Sequence, residues 1–414
     1  MSVGPGQVVS DTEGRSYVVG QKLAEGGQGE IFETRAVTSG DSPILKVPHP
    51  NLVSRELERR VDALVAADLS SLSPALCAPF AKLSRTYGLG AFQPRAEGVP
   101  LEDLFASSTP ELMPALGIGI ALCRALTVLE RSGFSHGDLS ATNVLAKDMG
   151  SYFEATVIDL DNFACAGAPA PTFRGQDLYA APELLAGSAT ASILSDRFSL
   201  AVLLSELLYG RHPFAAAAQS NLSFDQYVEL LQQANWDSAA RNARGPLPGR
   251  PVEVLPRDLH ALFRAALHVN AATRPSAATW GRALQAALDE LFECEGCHEV
   301  FVNEPSRYTC VHCGAAASTL ELRVGKRVLP LTAMSTAIGR DDVGGDPSVS
   351  REHAVFRRAG FALRVRCRSR NGLAVRVAGT WRELAEGDEV AATDGDRIVF
   401  APGVEGRLAQ RRST

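Results

Sequence analysis

From Tyr17 to about Lys46 the apolar residues come in short alternating runs broken by glycines, the pattern of hairpin strands, with Gly26, Gly27 and Gly29 clustered between two runs. Helical spacing then takes over. Glu111–Arg131 predicts a long buried helix, and Asp196–Tyr209, Phe224–Gln233, Leu259–Leu267 and Ala277–Phe292 predict further helices. The helical pattern stops at Cys294, and from Leu320 onward the chain is strand-like and rich in Val, Arg and Gly. The pattern divides the chain into an N-terminal tail (1–16), a region with a β-rich and a helical lobe (17–292), a short cysteine segment (293–315) and an all-β domain (320–410).

Composition fits this multidomain reading. The chain has 414 residues, of which 45% are hydrophobic and 21% charged, enough apolar material for more than one core. A formal net charge of -6 argues against a nucleic-acid binder. The first residues, MSVGPGQVVSDTEGR, show no basic region followed by an apolar run, and no stretch of about 18 uninterrupted apolar residues occurs, so neither secretion nor a membrane span is expected. Four of the eight cysteines are grouped and four are scattered in apolar segments, which suits a reducing cytoplasm.

The chemistry gathers in two stretches. In LAEGGQGEIF the three glycines could let a hairpin close over phosphates, although tight turns produce glycine clusters equally well. Lys46, at the end of the next strand, could hold nucleotide phosphates if a helix carboxylate fixed it; Glu58 is the candidate partner, with Glu56 close behind. Further on, HGDLSATNVL (His136–Leu145) leads after one hairpin into VIDLDNF. Asp138 could take the proton of an attacking hydroxyl, while Asn143 and Asp159 supply hard oxygens for magnesium against ATP phosphates. Any one of these is an ordinary turn or cap residue in isolation, but their joint spacing argues for chemistry.

These motifs resemble the protein-kinase signature set, with HRDLKPEN present as HGDLSATN and DFG as DLD. YAAPE at Tyr179–Glu183, DRFSL from Asp196 and Arg274 extend the resemblance, the last implying a pair with Glu183. The resemblance implies a bilobal α+β fold, ATP and magnesium as cofactors, and transfer to serine or threonine of protein substrates. Three positions depart from it. Gly137 replaces the arginine that grips a phosphorylated activation loop, making phosphorylation at Thr172 or nearby less needed. Ser140 and Gln176 replace a lysine and a threonine that normally touch each other, which points to a rebuilt acceptor side. HGDLSATN also resembles small-molecule phosphotransferases such as aminoglycoside and choline kinases, but those lack the APE element and the closing arginine. A pseudokinase scaffold has no physical need of Lys46, Asp138, Asn143 and Asp159 together.

Cys294 and Cys297, then Cys310 and Cys313, form two CxxC pairs, a strong signal for a closed structural zinc site in a zinc-ribbon-like module. A disulfide pair, a redox CxxC and a rubredoxin-like iron site are weaker alternatives. In residues 320–410, AIGR, SREHAVF and NGLAV occur in the order that resembles the forkhead-associated (FHA) sandwich. That resemblance implies phosphothreonine binding by Arg340 and Ser350, added charge from Arg351, backbone fixation by Asn371, and a bracing role for His353. It also implies phosphothreonine-containing protein partners. The remaining arginines of this stretch suit a solvated basic face.

Overall fold

The computed structural model describes residues 3–107, 109–169, 171, 175–214, 223–233, 250–294, 296–302, 309–314, 320–331, 335–359 and 362–410. It divides into two compact units: Met1–Gly249 with His260–Arg282, and Arg250–Leu259 with Ala283–Thr414.

The first unit opens with strands β1 (Val8–Ser10), β2 (Ser16–Gly26), β3 (Gly29–Ala36), β4 (Ile44–Pro48), β5 (Ala81–Lys82) and β6 (Ala91–Gln93). They form one sheet in the order β1-β2-β3-β4-β6-β5. Alternation turns Tyr17 and Val19 inward, where they meet Phe32, Leu45 and Phe92. The predicted tail is corrected here. Val9 is buried and β1 pairs antiparallel with β2, so residues 8–10 belong to the sheet. Three residues are too few for alternation to announce a strand; pairing with a longer neighbour stabilises it.

Helix α1 (Arg55–Ala67) is capped by Ser54, whose hydroxyl accepts from Leu57 N. Helix α2 (Leu112–Arg131) begins within one residue of its predicted start. It is long and apolar enough to cross a membrane, but 61% of its most apolar stretch is buried inside the structure. Strands β7 (Val144–Asp148) and β8 (Phe153–Val157) form the predicted hairpin between the two motif loops. Helix α3 (Ile193–Tyr209) starts three residues early because Ser192 and Ser195 close a capping box there. Helices α4 (Phe224–Gln233), α5 (Arg257–Ala266) and α6 (Ala277–Asp289) follow. Arg274, fully buried, holds Glu183 through two parallel bonds of 2.6 and 2.9 Å.

The helix predicted over Ala277–Phe292 stops at Asp289. Strand β9 (Leu291–Glu293) pairs instead with β10 (Val300–Val302), and the buried rings of Phe292 and Phe301 meet at 5.3 Å. The CEGC turn therefore sits at the end of a hairpin. It falls in the same compact unit as the strands that follow. Ten strands come next: β11 (Leu320–Val324), β12 (Arg327–Leu331), β13 (Ser335–Ile338), β14 (Ala354–Ala359), β15 (Ala362–Cys367), β16 (Leu373–Val377), β17 (Thr380–Leu384), β18 (Glu389–Ala392), β19 (Arg397–Ala401) and β20 (Val404–Gln410). They build two antiparallel sheets, β12-β11-β20-β19-β16-β17 and β13-β14-β15-β18. Leu322, Phe356, Val365, Val375, Ile398 and Leu408 share one core, as inward-facing positions of two packed sheets do.

Candidate functional site

The loop between α2 and β7 is held by buried groups. Asp196, in the first turn of α3, accepts the backbone N–H groups of His136 and Gly137. Burial, only partly offset by these two donors, pushes its carboxyl up to about 7. His136 is itself buried and its Nε2 lies 2.9 Å from the Ile158 carbonyl, joining this loop to the DLD loop. Gly137 has a φ of +77°, and a Cβ there would stand 2.1 Å from the Asn162 carbonyl. The arginine absent at this position would not fit this backbone.

Asp138 is fixed from three directions. Its main-chain carbonyl and its Oδ2 accept from Asn143 Nδ2 at 2.8 and 3.2 Å, and its Oδ1 accepts from Gln176 N at 3.1 Å. Burial and the nearby charge of Asp159 raise its carboxyl to about 6, against the lowering effect of those bonds. Asn143 is brought to the DLD loop by its own carbonyl, which accepts from Ile158 N at 3.0 Å. Gln176 Nε2 donates to Ser140 Oγ at 3.0 Å and Thr142 Oγ1 at 2.9 Å. The two departures singled out in the sequence thus meet each other, replacing one contact by another.

Lys46 departs from its predicted partner. Its ammonium contacts Asp159 Oδ1 at 2.6 Å and Asp161 Oδ2 at 2.5 Å. Burial alone would depress this amine, yet Asp161 and Asp159 outweigh it and hold its pKa above the usual lysine range. Glu58 instead accepts from Arg85 at 2.7 Å. The reason is helical phase: Leu57, Arg60, Val61 and Leu64 of α1 line the cavity beside Lys46, and Glu58 lies about 100° away from Leu57. Glu56, the second candidate, lines the cavity but makes no described bond to Lys46.

The cavity has a volume of about 360 Å³ and is lined by Gly27, Gln28, Gln93, Arg60, Asp161 and Phe163 among others. Gly26 and Gly27 have open space where a side chain would begin, whereas Gly29 is packed against the Val47 carbonyl. Asp161 and Arg60 are the two residues that the sequence reading missed. The signal for Asp161 was the carboxylate at the third position of DLD; nothing local marked Arg60. Thr172 lies outside the described residues.

The four grouped cysteines converge. Cys294 and Cys313 sulfurs are 3.6 Å apart, Cys297 and Cys310 sulfurs 3.7 Å, and all four lie within 4.8 Å of one another. Sulfurs placed about 2.3 Å from one zinc in a tetrahedron stand about 3.8 Å apart, whereas a disulfide needs about 2.0 Å. The N–H groups of Gly296 and His312 point at Cys294 and Cys310 sulfurs, each at 3.3 Å. The donor set therefore fits a four-thiolate metal.

At one end of the two-sheet domain, Arg340 donates from Nε to Val349 O at 2.8 Å and from Nη2 to Pro347 O at 3.1 Å, which sets its guanidinium against the 346–350 loop. Ser350 Oγ lies 2.8 Å from Ser369 Oγ, and Asn371 Nδ2 donates to Ser348 O at 3.0 Å. His353, completely buried, accepts from Ser350 N through Nδ1 and places Nε2 2.8 Å from Gly372 O. Arg351 is exposed. Gly339 is required by close approach, since a Cβ would stand 1.7 Å from the Arg351 carbonyl. Arg340, Ser350 and Asn371 thus share one loop cluster, braced by His353.

Comparison with known proteins finds similarity over part of the chain. Residues 109–285 match the model of the protein kinase domain. The chain is 22% identical over 318 residues to protein kinase YegI of Escherichia coli K12, covering 69% of this chain and 47% of that protein. It is 26% identical over 218 residues to the serine/threonine-protein kinase ppk25 of Schizosaccharomyces pombe, covering 51% of this chain and 49% of that protein. A shorter stretch of 116 residues, 28% of this chain and 14% of the other, is 32% identical to the serine/threonine-protein kinase kin-29 of Caenorhabditis elegans. The chain spans about half the length of the YegI kinases it matches. Residues 109–285 are thus similar to the protein kinase domain, and the chain is similar at low identity to bacterial and eukaryotic protein kinases.

Proposed function

We propose that the protein is an ATP-dependent serine/threonine kinase acting on protein substrates, and that its C-terminal sandwich is an FHA domain that recruits phosphothreonine-containing partners. The observation that carries the catalytic reading is Asp138: a carboxylate oriented by Asn143 and Gln176, its pKa raised to about 6, so that it is ionised at neutral pH yet basic enough to accept a hydroxyl proton. Lys46 would hold the α- and β-phosphates beneath Gly26, Gly27 and Gly29, in the manner of the bilobal kinase fold. Asn143 and Asp159 would hold magnesium, which when bound screens the phosphate charge. The donor set suits it, because the Asn143 amide nitrogen is spent on Asp138 and its oxygen is left as an acceptor.

At the sandwich, two donor-bearing groups of Arg340 are tied to carbonyls, and Nη1 makes no bond among the described residues. A phosphate dianion accepting from that nitrogen, from Ser350 Oγ and from exposed Arg351 would be satisfied as such ligands require. Asn371 would then fix the peptide backbone. The cysteine module would carry a structural zinc with no open position.

Transfer of labelled γ-phosphate from ATP with magnesium, followed by phosphosite mapping, tests the catalytic reading. Label on serine or threonine of protein that vanishes in Asp138→Ala supports it. Nucleotide binding without transfer to protein moves the reading to a small-molecule acceptor or a scaffold.

A further inference from the structure

A phosphate-holding lysine works only if its ammonium is fixed, and a helix carboxylate ordinarily does this. No carboxylate of helix α1 makes a described bond to Lys46, although Glu56 lines the same cavity. The side chain it turns inward is Arg60, whose guanidinium is buried and lies 4.4 Å over the Phe163 ring. Arg60 donates to three carbonyls: Asp161 at 2.7 Å, Phe163 at 2.7 Å and Pro169 at 2.5 Å. Asp161 is therefore gripped twice, by Arg60 at its carbonyl and by Lys46 at its carboxylate.

We propose that Asp161 is the positioning residue for Lys46, and that Arg60 is the clamp through which α1 sets Asp161. The inference rests on the reading of Lys46 as the phosphate-holding group. The charges of helix and loop are exchanged relative to a lysine held by a helix glutamate: the helix supplies the cation and the DLD loop the anion. The physical consequence is regulatory. A helix carboxylate can be withdrawn by swinging the helix, which breaks one ion pair. Swinging α1 would have to break three charge-assisted bonds to the main chain of the DLD loop and the segment after it. With Gly137 in place of a phosphate-gripping arginine, the setting of Lys46 does not wait on phosphorylation of that segment.

The test uses the full chain and Asp161→Asn, which keeps size and the carbonyl that Arg60 holds. Without nucleotide, the acetylation rate of Lys46 by acetic anhydride is followed at one fixed pH by peptide mass spectrometry. Losing the carboxylate leaves the ammonium with Asp159 as its remaining described ion pair and raises labelling by about fivefold or more. In parallel, kcat falls about tenfold with a higher KM for ATP, and Asp161→Glu recovers part of both. Arg60→Lys, which cannot reach three carbonyls at once, shifts labelling the same way by a smaller factor.

Unchanged labelling in Asp161→Asn, or an unchanged or raised kcat, overturns the positioning role. So does a shift seen in Glu58→Gln but not in Asp161→Asn, which would return the anchor to the helix. Wild-type labelling in Arg60→Lys overturns the clamp. Labelling needs no phosphoryl transfer, so a chain that labels as described yet phosphorylates no protein keeps this inference and loses the kinase reading.

Discussion

The loops around Asp138 gather carboxylates and bury them, while the loops around Arg340 gather guanidiniums and leave them wet. In the first region His136 and Asp196 are buried, and burial raises the Asp138 and Asp196 carboxyls. In the second, Arg351 and Asn371 are exposed, the Arg370 side chain is 94% exposed, and the deeply buried polar groups are the uncharged Ser369 and the bracing His353. The contrast teaches what each chemistry needs. Proton transfer requires a group whose pKa has been moved, and desolvation moves it. Capture of a dianion requires cations of fixed direction, and guanidiniums need no shift to be charged.

The comparison can be broken or sharpened by experiment. The largest effect is expected at the buried end: Asp138→Ala should lower phosphoryl transfer by on the order of 10³-fold while magnesium-ADP binding, measured by calorimetry, is retained. Arg340→Ala should weaken capture of a phosphothreonine peptide by on the order of 100-fold in fluorescence anisotropy and leave phosphoryl transfer unchanged. Loss of both activities from either substitution would mean that the two regions do not act independently.

A smaller effect follows from pH. The Asp138 carboxyl is raised to about 6, so its base form is lost as pH falls through that value. The transfer rate should be flat above it and drop about tenfold per unit below. Peptide capture should fall far less steeply, because a phosphate that gains one proton near its second pKa of about 6 still carries a negative charge. A matching drop in both would erase the distinction.

The least effect on either activity is expected from Cys297→Ser. Elemental analysis should find about one zinc in the wild type and none in the variant, and hydrogen exchange should accelerate first in β9 and β10, which bracket the CEGC turn. A purified, reduced wild type without metal would defeat the zinc assignment.

How much of this was legible depended on distance along the chain. Asp138 and Asn143 stand five residues apart in one loop, so their spacing marked them as members of one site, while the bond between them appears only in the structure. The two CxxC turns were readable for the same reason. Phe292 was misread as helical because its preference for a strand comes from Phe301 across a hairpin, and β1 was missed because its partner supplies most of its stability.

The sequence by itself determined the helices whose apolar stripes repeat over many turns, the strand-rich character of the last region, and the identity of the reactive side chains. Tertiary structure alone decided which of those side chains meet. Arg60 finds its acceptors 101 to 109 residues away, and Lys46 lies 113 residues from Asp159. Whether Glu58 or Asp161 anchors Lys46 turns on one helix's rotation against a sheet. That rotation is fixed by the packing of α1's inward face, Leu64 with Arg60, and no window of local sequence records it.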